Sequence, residues 1–147
     1  MPSASSDPYG LQRFVTAQDP VYDRVCDELR AGAKRSPWMW FIFPQIAGLG
    51  HSAMAQKYAI ASRGEAVAYL RHPVLGPRLK ECTELVLAVQ DRSIHAILGS
   101  PDDVKFCSSM TLFAEAAEDN AVFRDAIAWY YAGLFDQRTL DILRGAT

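Results

Sequence analysis

A chain of 147 residues, 50% hydrophobic and 22% charged, has the size and composition of one soluble globular domain, and a second domain would lack a core. Its net charge of -2 supplies no global pull toward nucleic acid or an anionic membrane, and no apolar run approaches the ~20 residues that span a bilayer. The cysteines, Cys26, Cys82 and Cys107, form no Cys-x-x-Cys pair; they speak against a disulfide framework or a cysteine zinc site and fit reduced thiols in the cytoplasm.

Residues 1–6 are small and polar, lack the pattern of a secretory signal and read as a disordered tail; residues 7–147 read as a single helical domain. Asp7-Pro8 offers an N-cap and a first-turn proline before Leu11, Phe14 and Val15. Asp19-Pro20 repeats the signal before Val21, Val25, Cys26 and Leu29, and Gly32 ends that helix. Residues 37–50 form an irregular aromatic segment. Ser52 caps a helix through Tyr58, and Ser62 and Glu65 have capping-box spacing ahead of Ala66, Val67 and Leu70. His72-Pro73 opens what reads as the longest helix, about Val74 to Gln90, with Leu75, Leu79, Cys82, Val86 and Val89 in one apolar stripe. Ser93 caps a short turn ending at Gly99. Ser100-Pro101-Asp102-Asp103 starts a helix with a cap, a proline and two carboxylates at the positive dipole end, and that helix extends to about Ala117. Asp119-Asn120 breaks it. Phe123, Ile127, Tyr130 and Tyr131 mark the next helix, which stops near Gly133, and Asp136 caps a last one bearing Leu140 and Leu143.

The pattern predicts an all-α domain of about seven helices joined by short loops. Trp38 to Phe43 alone has strand-like composition, and a lone strand has no partner. A buried turn or short helical segment is expected there, or at most a minor strand pairing.

Two stretches mix chemistries that a purely structural element does not require. In the first, Lys34 and Arg35 precede Trp38 and Trp40, and Gln45, Gly48, Gly50 and Ser52 follow. An aromatic wall with two cations and an amide suits a planar anionic ligand such as a nucleotide; the competing reading makes the aromatics core and the cations a solvated pair. Gly48-x-Gly50-x-x-Ala53 has the outline of a dinucleotide fingerprint but lacks its preceding strand and following acid, so a plain glycine turn with a Ser52 cap is the better reading. In the second stretch, Asp102, Lys105 and Ser109 share a helix face. Ser108, Ser109 and Thr111 form a polar band inside the helix; they bond carbonyls one turn back, permit close packing, or face a ligand.

His51, His72 and His95 have no metal-binding spacing, and no nucleophile elbow is present, so neither metal nor cofactor is expected. Cys107 reads as an inert thiol.

The segments Arg35-Ser36-x-Trp38-Met39-Trp40-x-x-Phe43-Pro44-Gln45-x-x-Gly48-Leu49-Gly50-x-Ser52 and Gly99-Ser100-Pro101-Asp102-Asp103-x-Lys105-x-x-Ser108-Ser109-Met110-Thr111-Leu112-Phe113 resemble the signatures of a bacterial family known as domain of unknown function 1810. The likeness spans about Asp7 to Leu143 and implies a compact, mainly helical domain with no established catalytic residue. Two positions depart from the family pattern: Pro37 stands where relatives often have histidine, and Cys107 where they often have arginine. If the family used that histidine as an acid or base, this chain would lack the group.

The expected function is a pocket for a small anionic or nucleotide-like ligand. One alternative is a homo-oligomeric interaction module, monomer or homodimer, built on Phe123, Trp129, Tyr130, Tyr131 and Phe135. The other is an enzyme acting on a nucleotide or glycosidic bond through Asp102, Asp103 or Glu115. No contact with nucleic acid or membrane is expected.

Overall fold

In a computed structural model, which describes residues 7–145, the chain winds through α1 (Gln12–Gln18), α2 (Tyr22–Arg30), α3 (Met39–Ile42), α4 (Ala53–Lys57), α5 (Arg63–Arg71), α6 (Leu75–Ala88), α7 (Ile94–Leu98), α8 (Asp102–Ala116), α9 (Ala121–Tyr131) and α10 (Gln137–Gly145). The tail expected at 1–6 lies outside the described residues. The fold is all-helical, as the patterning predicts, but it has ten helices among the described residues, not about seven. The difference lies chiefly in α3 and α7, expected as an irregular segment and a short turn but helical over four and five residues; the five-residue α4 is the helix expected after Ser52. Segments that short cannot hold a helix alone, and their patterns are too brief to count; tertiary contacts stabilise them.

The longest helix is α8, at 15 residues, not α6, at 14. α6 stops at Ala88 with Val89 non-helical, and the Tyr130 hydroxyl donates to the carbonyls of Val86 and Val89 at 2.6 and 2.9 Å. α8 is the centre of the molecule. Every residue from Phe106 to Ala114 is buried, so all its faces are covered along that stretch. α5, α7, α9 and α10 pack around it, while α6 joins α2, α5 and α9.

Local capping explains most helix starts. The hydroxyls of Ser52, Ser62 and Ser93 accept the N–H groups of Ala55, Glu65 and Ala96, and Asp136 Oδ2 accepts Thr139 N–H at 3.1 Å. His72 Nδ1 accepts the N–H groups of Val74 and Leu75, so an imidazole starts α6. Three expected starts differ. Asp7 and Pro8 lie ahead of α1, whose N-cap position is Leu11, although the Asp7 carboxylate accepts the N–H groups of Leu11 and Gln12. Asp19 does not cap α2 but ion-pairs with Arg78 at 2.9 Å. Pro101, not Ser100, occupies the N-cap position of α8, with no side-chain cap.

The aromatic segment is a single helical turn, α3, followed by an extended stretch whose Ile46 makes an isolated parallel bridge to Ile60. Among the described residues no helix is long and apolar enough to cross a membrane.

Candidate functional site

The first sequence motif hangs on Glu28. This carboxylate projects from α2 between Val25 and Leu29, inside the apolar stripe. One oxygen accepts the backbone N–H groups of Arg35 and Ser36 and the Trp38 indole N–H, at 2.8, 3.2 and 2.9 Å; the other accepts the Ser36 hydroxyl at 2.7 Å. Burial pushes the Glu28 carboxyl up, and these hydrogen bonds outweigh it, leaving the group below its ordinary value. The far end of the segment hangs on Gln18. Its amide donates to the Phe41 carbonyl at 2.7 Å and to the Tyr69 hydroxyl at 3.1 Å, and so holds the four-residue helix α3 in place.

Because α3 is helical, its side chains do not alternate between two faces. Trp38, Met39, Phe41, Ile42 and Phe43 are all buried, with Trp38 only 1% exposed, and Trp40 alone remains half-buried. Trp38 is therefore a core residue, its ring 6.2 Å from that of Phe43. Trp40 is the indole that reaches the surface.

The two motifs meet at Trp40. The Lys34 N–H donates to the Ile97 carbonyl at 2.7 Å, which pins the first motif to the end of α7, just ahead of α8. The Lys34 ammonium then lies 2.9 Å from Asp102 Oδ2, on the first turn of α8, and 5.1 Å from the centre of the Trp38 ring. Lys105, one turn along α8, sits 3.9 Å from Asp102 Oδ1 and 5.5 Å from the centre of the Trp40 ring. Two ammonium groups about 70 positions apart in the chain thus converge on one carboxylate. The side chains of Lys34 and Lys105 are 12% and 27% exposed, so this charge lies at a partly shielded surface.

Beside Trp40 lies a small cleft, bordered by Gln45, Gly48, Gly50, Ala55, Tyr58 and Ala59. Its volume of about 10 Å³ holds about one water molecule. The glycine motif has a local explanation here. Gly48 has φ +104°, and a Cβ on Gly50 would stand 2.6 Å from that of Ala55. Ser52 is occupied as the cap of α4. Gln45, Gly48 and Gly50 border the cleft at Trp40, whose ring also meets Lys105 and, through Lys105 and Asp102, is linked to Lys34; Arg35 is exposed and binds Glu28 through its backbone.

Ser108 and Ser109 turn inward. The Ser108 hydroxyl lies 3.1 Å from Asp136 Oδ2, and Thr111 Oγ1 accepts the Asp136 N–H at 2.8 Å, so this part of the polar band ties α8 to the start of α10. Ser109 is fully buried, and its hydroxyl has no hydrogen-bond partner. Burial, with the nearby Asp136 charge, pushes the Cys107 thiol up to about 11.

The carboxylates considered for acid–base work do not converge. Asp102 is held by the two lysines, Asp103 lies 3.1 Å from His95, and Glu115 is exposed near the far end of α8. Of the C-terminal aromatics, Trp129 is 56% exposed and Phe123 is buried. The hydroxyls of Tyr130 and Tyr131 bond backbone carbonyls, the latter that of Asp103. Among the described residues, no three His, Cys, Asp or Glu side chains are grouped to hold a metal ion. A larger open groove of about 980 Å³ runs between α5, α6 and the α8–α9 turn, bordered by Leu70, Lys80, Glu84 and Phe123, and contains none of the candidate ligand-binding residues.

Sequence reasoning missed Glu28, Gln18 and Arg13. The Arg13 guanidinium donates to the carbonyls of Tyr9, Gly10, Lys57 and Ala59 and pairs with the buried Glu65 at 2.9 Å. The legible signal for Glu28 and Gln18 is a polar residue inside an apolar stripe: Val25, Glu28, Leu29 in one helix and Leu11, Phe14, Gln18 in the other. Arg13 carries no such mark.

No curated protein matches the chain. A solved structure that does is the crystal structure of the conserved hypothetical protein Rv1873 from Mycobacterium tuberculosis, 58% identical, with a TM-score of 0.93, covering 94% of this chain and 99% of that one. A family model described as protein of unknown function DUF1810 matches residues 8–143, which takes in Glu28, both lysines, Trp40 and the glycine turn; the chain belongs to this family.

Proposed function

We propose that the protein binds a small anionic ligand, of the size of a phosphate ester or nucleotide, over Trp40. The observation that carries this reading is the convergence of Lys34 and Lys105 on Asp102, which leaves one ammonium charge in excess at that carboxylate beside a half-buried indole. Cation and ring faces together favour a ligand with a negative group and a flat apolar portion. The adjacent cleft admits only about one water, so the ligand rests on the surface at Trp40 rather than inside a cavity.

A thermal-shift series against inorganic phosphate, sugar phosphates and nucleotides tests this. A saturable rise in Tm is expected for at least one phosphate-bearing compound, with loss of that rise in Lys105→Ala and Trp40→Ala variants that retain the ordinary unfolding transition. Trp38→Ala is the contrast: it empties a core position and lowers stability by about 3–5 kcal/mol with or without ligand. An unchanged rise in Lys105→Ala, or no rise with any phosphate compound, removes the reading.

A further inference from the structure

A second cluster, unconnected with the proposed ligand site, lies in the seam where α2 packs along α6. It contains Tyr22 and Cys26 from α2, and Glu81 and Cys82 from α6. The Tyr22 hydroxyl donates to Glu81 Oε1, the Cys26 thiol stands 4.0 Å from that same oxygen, and the Cys82 thiol stands 3.8 Å from the Tyr22 oxygen. The two thiols thus flank one Tyr22–Glu81 pair in the same seam. The neighbouring Cys82 thiol favours the Cys26 thiolate and burial opposes it; the net effect holds the Cys26 thiol below its ordinary range, while Cys82 is pushed up. Both sulfurs are nearly enclosed, but Glu81 is exposed and Tyr22 only half-buried, so the seam opens to solvent on their side. A packing role alone needs two small apolar groups and neither the pairing of thiols nor the phenol and carboxylate beside them.

We propose that Cys26 and Cys82 are an oxidisable pair that reacts with a hydroperoxide and closes to an intramolecular disulfide joining α2 to α6. The Cys26 thiolate attacks the terminal peroxide oxygen. A sulfur–oxygen bond forms, the oxygen–oxygen bond breaks, and hydroxide or alkoxide leaves and takes a proton. Cys82, losing its proton, then attacks the Cys26 sulfenic sulfur; the disulfide forms and water departs. With hydrogen peroxide, two thiols and one peroxide give one disulfide and two waters. Closure requires the two side chains, both seated against the Tyr22–Glu81 pair, to turn until the sulfurs reach the ~2.05 Å separation of a disulfide. The product closes residues 27–81 into a loop and pins the helix that carries Glu28, the anchor of the Trp38 segment.

Peptide mapping of the intact, folded protein tests this, because trypsin places the three cysteines on separate peptides: Val25–Arg30, Glu81–Arg92 and Phe106–Arg124. The protein is treated with hydrogen peroxide, denatured without reductant, alkylated and digested. The expected result is joint loss of the first two alkylated peptides, appearance of their cross-linked product, and full alkylation of Cys107. In a Cys82→Ala variant, Cys26 is expected to persist as a sulfenic acid that dimedone captures. The proposal is overturned if both peptides remain alkylated when Cys107 is already consumed, or if Cys26 proceeds to sulfinic acid in the wild-type protein while Cys82 stays a free thiol.

Discussion

Glu28 accepts four hydrogen bonds from neutral donors, and this makes it a titrating anchor rather than a surface charge. Its folded-state ionisation lies below the ordinary value of 4.5, so its contribution is fully present above that pH and is lost as pH falls through the lower, folded value. A Glu28→Gln variant keeps one acceptor oxygen and loses the charge. It is expected to be less stable at neutral pH by about 1–3 kcal/mol, with the gap to the wild type narrowing in acid. Urea unfolding at a series of pH values measures both effects; a gap that stays constant into acid would show that the charge contributes nothing. A second buried anchor, Gln18, shows why the candidate site was only half legible. Lys34, Trp40, Gln45 and Lys105 stand out in the sequence by type. That Trp38 is sealed and Trp40 is not depends on one helical turn held by Gln18, which sits more than 20 positions away.

At the scale of elements, the helix starts set by Ser52, Ser62, Ser93 and Asp136 were legible because donor and acceptor lie within three residues of each other. The helical turn of α3 was not, since its partner Gln18 lies elsewhere in the chain, and the distant contacts that hold the short α4 were equally hidden. Arg13 reaches the carbonyls of Lys57 and Ala59, 44 and 46 positions away, and so fixes the stretch leaving α4 against α1. At Gly76, near the start of α6, the chain packs tightly against α5. A Cβ built there runs into the backbone carbonyl oxygen of Leu70 on α5. Backbone cannot give way as a flexible side chain does. Gly76→Ala, although Ala is the better helix former, is therefore expected to destabilise by about 1–3 kcal/mol, as overpacking does. Denaturant midpoints for the two proteins decide it, and a more stable alanine variant would mean that α5 and α6 separate freely.

The whole molecule is organised around α8, whose central nine residues are covered on every side by other helices. A helix so enclosed cannot be reached by fraying at one edge. Amide exchange at Phe106 to Ala114 is expected to require global unfolding, and its rate should match the stability measured in denaturant. Exchange in the exposed α4 and in α10 should be faster by orders of magnitude. Rapid exchange within 106–114 would indicate that α9 or α10 detaches as a separate unit.

Lys105 projects from the outer end of that same buried rod. A load placed on its ammonium therefore bears on a helix enclosed over nine consecutive residues, and an occupant resting over Trp40 would meet a seat that barely yields. Discrimination among guests at such a seat comes from fit to a fixed shape, and small changes in the guest's outline should matter more than its capacity to bend.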